Sequence, residues 1–316
     1  MFLPPAIREI MARSTLPLWT GLEEIRLRLN RPLALHGPLG ALFLNPEGQS
    51  VPAERAYRPT REDLTRALAL ISNFSIYAFE QELRSGYLTI PGGHRVGLCG
   101  RAVLEEGKVT ALTDISGLNY RIAQGIEGVA LPYVEQLVIF SELRPANTLV
   151  VSPPGCGKTT FLRDLARCLS DGVPGRGIPG FKVAIVDERS EIAGCFQGLP
   201  QLRVGNRTDV LDACPKVEGM MMLLRSMAPQ VIVTDEIGSP EDVLAVREVI
   251  RAGVSLVASA HGSNLARLEE RPQLGMLLME KVFERVVLLG RSQGVGTVEK
   301  IFDPRNREVF YQPAGD

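Results

Sequence analysis

Val150-Val151-Ser152-Pro153-Pro154-Gly155-Cys156-Gly157-Lys158-Thr159-Thr160 runs from an apolar strand-like stretch through a loop of small residues into the start of a helix. That order is the context a phosphate-binding loop requires. Glycines let backbone N–H groups curl around an anion, and the helix N-terminus adds a favourable dipole. Lys158 is placed to reach the β- and γ-phosphates of a nucleotide, and the Thr159 hydroxyl to ligate Mg²⁺. The expected ATP·Mg²⁺ cradle is therefore Ser152, Pro153, Pro154, Gly155, Cys156, Gly157, Lys158, Thr159 and Thr160. Ser152 stands where the pattern has its first glycine and is small enough for the turn. Nothing around Cys156 argues for a lowered thiol pKa, so packing is the reading ahead of a redox role.

Outward from this loop, apolar strands alternate with helical patterns. Strands are expected at 148–151, 182–186, 231–234 and 254–259, and helices at 158–169, 216–227 and 241–251. Short apolar strands separated by helices mean parallel crossovers and a sheet covered on both faces. Residues 284–289 and 296–302 read as two more strands.

Three further stations end strands in polar residues. Val231-Ile232-Val233-Thr234-Asp235-Glu236 delivers two carboxylates to the C-terminal edge of the sheet. Asp235 suits the Mg²⁺ hydration shell, and Glu236 suits polarising the attacking water as general base. Val257-Ala258-Ser259-Ala260-His261-Gly262 brings a histidine to the same edge. His261 either meets the γ-phosphate or caps the following helix. The strand from Val183 to Val186 leads into Asp187-Glu188-Arg189-Ser190-Glu191. Asp187 and Glu188 orient water or metal there, or pair with Arg189.

The front of the chain reads as a smaller α+β module. Ile25, Leu27 and Leu29 alternate with Arg26, Arg28 and Asn30, the period-2 mark of a half-buried strand. Asp63 is placed to cap a helix carrying Leu64, Leu68 and Ile71. Residues 87–90 and 95–99, joined by Pro91-Gly92-Gly93, form a hairpin pattern. Glycines between Gln124 and Gly128 suggest a boundary, with 1–125 as the first domain and 126–316 as the second. Residues 129–143 read as a helical lead-in.

The chain of 316 residues carries a net charge of −1, so no global basic field recruits nucleic acid or an anionic membrane. Its apolar N-terminal segment is broken by Pro4, Pro5, Arg8 and Glu9, unlike a signal peptide. No apolar run approaches the roughly 18 residues of a membrane span, so a cytosolic protein is expected. Cys99, Cys156, Cys168, Cys195 and Cys214 form no Cys-x-x-Cys pair and read as small core residues in a reducing compartment.

With these stations placed, the chain resembles the RecA-like secretion ATPases, the hexameric motors of type II and type IV secretion and type IV pili. Within them it most closely resembles the stage III sporulation AA family of endospore-forming bacteria. Residues 224–238 resemble the superfamily's Arg, Pro, apolar strand and catalytic Glu, and 259–264 its His box. Asp187-Glu188-Arg189 sits where its Asp box sits. The resemblance implies a RecA-like P-loop NTPase domain of three layers, α/β with a mostly parallel sheet, preceded by the α+β domain. It implies ATP hydrolysis by Glu236 with Lys158, His261, Asp187 and Glu188, and Mg²⁺ held by Thr159 and Asp235. It also implies a homo-oligomer, a hexameric ring docked on a membrane channel, on the mother-cell side in the sporulation case. Arg95, Arg101 and Arg225 are candidate arginine fingers, with simple solvation as the alternative for the hairpin pair.

Two departures stand out. The tetracysteine zinc motif of some members is absent, and Asp235 stands where Gly often precedes the catalytic Glu. A related group carries a single-stranded-nucleic-acid module instead. The tail from Asp303 to Asp316 is too short for one, and no dense basic cluster interleaved with aromatics is present, so no nucleic acid is expected. A small-molecule kinase shares the loop but has no need of Glu236 and His261 on strand ends.

Overall fold

The computed structural model describes residues 2–15, 21–38, 40–72 and 86–313. The chain divides into two units, Met1–Gln124 and Gly125–Asp316.

The first unit holds helix α1 (Pro5–Arg13), strands β1 (Glu24–Arg28), β2 (Ala34–Gly37) and β3 (Gly40–Phe43), helix α2 (Arg61–Ile71), and strands β4 (Tyr87–Ile90), β5 (His94–Glu105) and β6 (Lys108–Arg121). Its antiparallel sheet has the order β3-β2-β1-β6-β5-β4. Ile25 and Leu27 turn inward from β1 as their alternation requires, opposite Tyr120 and Leu118 of β6. The hairpin closes with Ile90 opposite His94. The cap of α2 differs from expectation: Thr60 is the N-cap, and Asp63, three residues on, returns a bond to the Thr60 N–H. A threonine hydroxyl one residue outside the helix satisfies the N3 amide, which an aspartate inside it cannot do.

The second unit opens with a 3₁₀ turn at Leu131–Leu137 and a ribbon of β7 (Val138–Ile139) and β8 (Arg144–Pro145). This replaces the helix expected over 129–143. Phe140 and Leu143 are exposed here, and Leu143 adopts a positive φ, so no helical stripe forms. Then come β9 (Thr148–Ser152), α3 (Lys158–Asp171), β10 (Val183–Asp187), β11 (Thr208–Asp212), α4 (Lys216–Ser226), β12 (Val231–Glu236), α5 (Pro240–Arg251), β13 (Ser255–His261), α6 (Leu265–Glu269), α7 (Pro272–Met279), β14 (Arg285–Gly290), β15 (Thr297–Phe302) and β16 (Val309–Tyr311).

The sheet order is β11-β10-β12-β13-β9-β14-β15-β16. The first six strands run parallel, and β15 and β16 add an antiparallel meander. Every residue of β9 and β10 is buried, as a sheet covered on both faces demands. Val150, Ile185, Val233 and Val257 pack with Phe161, Leu162 and Leu165 of α3 on one face. Leu149, Val151, Ile232 and Leu256 pack with Met220 of α4, Val246 of α5 and Leu277 of α7 on the other. Strand residues of opposite parity thus feed opposite cores, and three layers result.

All five cysteines are free. Cys156, Cys168 and Cys195 are buried, whereas Cys99 is exposed and Cys214 half-exposed, so only the first three are core residues.

Candidate functional site

Strand order assembles the site. Strand β13 lies between β9 and β12, so the C-terminal ends of all three meet at one edge. Ser152 at the end of β9 pairs with His261 at the end of β13. The pairing of β12 with β13 is irregular between Val233 and Glu236, which re-aims Asp235 and Glu236 at the strand end.

The loop from Pro153 to Gly157 crosses from β9 to α3. Gly155 and Gly157 have φ of 69° and 79°, the left-handed region open to glycine. A side chain at Gly157 would also stand 3.0 Å from the Cα of Gly296. Cys156 is buried, its Sγ 3.8 Å from the Pro154 carbonyl. Ser152 is buried and donates its hydroxyl to the Pro153 carbonyl. Thr159 and Thr160 follow Lys158 in the first turn of α3.

Lys158 is held at the centre. Its Nζ donates to Ser152 O at 3.2 Å and Ser152 Oγ at 3.3 Å, and lies 2.8 Å from His261 Nδ1. Nε2 of His261 lies 3.1 Å from Glu236 Oε2. An ammonium has no lone pair, so Nδ1 accepts from Lys158 and the imidazole presents Nε2–H to Glu236. Burial lowers the Lys158 pKa, and the Glu236 carboxylate opposes that shift.

Asp235 is more enclosed than Glu236, with side chains 15% and 45% exposed. Its Oδ1 is buried without a hydrogen-bond partner. Burial pushes its carboxyl up to about 6; Lys216 pulls against this, and Asp187, Glu188 and Glu191 add to it. An orphaned carboxylate oxygen beside a phosphate-type loop fits a hard divalent cation. Among the described residues no group of three or more His, Cys, Asp or Glu forms a cage by itself. Mg²⁺ is commonly held by one or two carboxylates with water and substrate phosphates, so the donor set fits.

Asp187 and Glu188 differ from each other. The buried carboxylate of Asp187 accepts from Glu191 N on one oxygen and Ala193 N on the other, both at 2.8 Å, and so ties down the loop after β10. Glu188 lies 3.0 Å from Lys216 Nζ.

The arginines are scattered. Arg95 on β5 stacks over Tyr87 with its Cζ 4.1 Å from the ring centre, and Arg101 is exposed further along that strand. Arg225 lies in the last turn of α4, roughly 14 Å along the axis from Lys216 in the first turn. Within one chain Arg225 therefore sits away from the edge where the strands end.

Two residues were not anticipated from sequence. Arg291, just after β14, donates through Nη2 to the Gly155 carbonyl at 3.1 Å. Lys216 pairs with Glu188 and approaches Asp235 Oδ1 at 3.8 Å. A lysine at a helix start, where the dipole disfavours it, was the available signal for the second.

A family model described as "Sporulation stage III, protein AA" matches residues 1–309. The chain is 46% identical over 301 residues to the stage III sporulation protein AA of Bacillus subtilis (strain 168), covering 95% of this chain and 93% of that one. Among solved structures, the pilus retraction motor PilT with bound ADP matches 98% of this chain and 83% of its own, with a TM-score of 0.59 and 14% identity. The ATPase DotB of Legionella pneumophila matches 84% of this chain and 72% of its own, with a TM-score of 0.53 and 14% identity. At such identities the likeness is one of fold: a RecA-like three-layer α/β domain that follows an antiparallel-sheet domain in the chain. Among the described residues no helix is long and apolar enough to cross a membrane.

Proposed function

The chain belongs to the sporulation stage III protein AA family, and from that premise we propose that it is an ATPase that drives assembly or transport through a membrane channel during sporulation. The observation that carries the reading is the line Lys158–His261–Glu236 across three neighbouring strand ends. A loop that binds phosphate and a carboxylate that activates water are joined there by one imidazole.

In this reading residues 152–160 receive the triphosphate, and Lys158 donates to its outer phosphates. Thr159 and Asp235 hold Mg²⁺, which supplies charge neutralisation on the phosphate oxygens. Glu236 takes the proton of the attacking water on its carboxylate. His261 holds Glu236 through Nε2–H. Asp187 acts at one remove, by fixing the loop that carries Glu188.

The motor works as a homo-oligomer, a ring of six, on the cytoplasmic, mother-cell side of the channel to the forespore. Residues 1–125 supply the arginine, Arg95 or Arg101, that completes a neighbouring site. Arg225, at the far end of α4, reaches a site only across a subunit junction.

ATP hydrolysis measured against protein concentration, with light scattering alongside and single-stranded nucleic acid in a parallel series, tests this. Activity rising as a ring-sized particle forms, indifferent to nucleic acid, supports the motor. Monomeric activity that jumps with nucleic acid replaces it with a nucleic-acid-dependent ATPase.

A further inference from the structure

Lys216 is the first residue of α4, a helix whose start has no side-chain cap. A cation there is opposed by the helix dipole. Its side chain is nonetheless only 16% exposed, with the ammonium 3.0 Å from Glu188 Oε2 and 3.8 Å from Asp235 Oδ1. Those carboxylates come from adjacent strand ends: Val186 of β10 pairs with Thr234 of β12, one residue before Asp187 and Asp235. The carboxylates explain the lysine, since burial would otherwise drive its charge out. Asp235 Oδ1 has Lys216 as a charge neighbour but no hydrogen bond from it or any other group. The ammonium neutralises this oxygen from outside bonding distance and leaves its lone pairs open.

We propose that Lys216 is a resident counter-cation for the carboxylates on the metal side of the nucleotide site, tuning how strongly nucleotide binding depends on Mg²⁺. This rests on the ATPase reading above. With Lys216 present, Asp235 and Glu188 are partly neutralised, so a polyphosphate approaches without a metal at reduced cost. With Lys216 removed, the acidic edge repels free polyphosphate, while a divalent cation gains an uncontested carboxylate. Both effects act in one direction, widening the gap between metal-free and metal-loaded binding. Lys216 is a positioning residue in this scheme and touches neither phosphate nor water.

The test is ADP binding by calorimetry to the full chain, once in EDTA and once in excess Mg²⁺. Lys216→Met keeps the aliphatic stem and removes the charge. Its ADP affinity should fall about tenfold in EDTA and less than about threefold in Mg²⁺, with Lys216→Arg close to wild type in both arms. Should Lys216→Met lose its cooperative melt, Lys216→Gln is read in the same two arms. An equal loss in both arms, or no loss in either, overturns the proposal, because a merely structural lysine would not distinguish them. Wild-type protein that fails to bind ADP in both arms overturns the nucleotide reading itself, and this proposal with it.

Discussion

Lys158 and His261 are hydrogen-bonded at 2.8 Å, from the first residue of α3 to the end of strand β13. The same imidazole lies 3.1 Å from Glu236 at the end of the next strand. His261 therefore fixes the distance between Lys158 and the candidate base. His261→Ala removes that spacer while leaving the loop intact. Its ATPase kcat is expected to fall about 10²-fold, the order of loss typical of a misplaced catalytic group, with ADP affinity nearly unchanged. A variant hydrolysing ATP at the wild-type rate would show that Glu236 is positioned without it.

Lys158→Ala removes the central cation of the loop. Charge-assisted bonds contribute about 1.5–3 kcal/mol each, so ATP affinity should fall about 10²-fold. Calorimetry checks this, and unchanged affinity would remove Lys158 from the phosphate site.

Glu236→Gln keeps the shape and the contact with His261 but loses the proton acceptor. ATP binding should persist while turnover falls about 10²–10⁴-fold. Single-turnover hydrolysis separates the two steps, and a normal rate would exclude Glu236 as base.

Arg291→Ala deletes the donor to the Gly155 carbonyl. A hydrogen bond of this kind contributes about 1 kcal/mol, so ATP affinity should weaken roughly fivefold, without a change in the pH profile. Wild-type affinity for ATP in this variant would leave Arg291 as a surface residue only.

Asp235 has its carboxyl raised to about 6 by burial. A raised carboxylate pKa means the fold disfavours the ionised form. The penalty is complete above about pH 6 and relieved as pH falls toward the ordinary value. In EDTA, Asp235→Asn should therefore be more stable than wild type at pH 7.5 by about 3 kcal/mol, and the advantage should shrink at pH 5. Thermal melts at the two pH values decide it; a variant less stable at both would show that the fold does not disfavour the ionised carboxylate.

Much of this was legible in residue order. The apolar runs at β9, β10, β12 and β13, ending in Ser152, Asp187, Glu236 and His261, announce a covered parallel sheet with chemistry at one edge. The 3₁₀ turn at 131–137 was not legible, because its spacing of apolar residues is also that of a helix until tertiary packing selects. Strand β11 carries no such signal: Thr208, Val210 and Asp212 sit at the sheet edge and need no continuous apolar run.

Residue order alone specifies the candidate phosphate loop, the strand-end carboxylates and histidine, and the alternation that makes three layers, because each depends on neighbours within a few residues. The placement of β13 between β9 and β12, through which His261 bridges Lys158 to Glu236, comes from the folded sheet alone. The same folded arrangement sets β14 beside β9, which brings Arg291 to the loop, and joins Lys216 to Asp235 and Glu188. Lateral strand order is set by how whole faces pack and how crossovers run, and no local pattern in the chain records it.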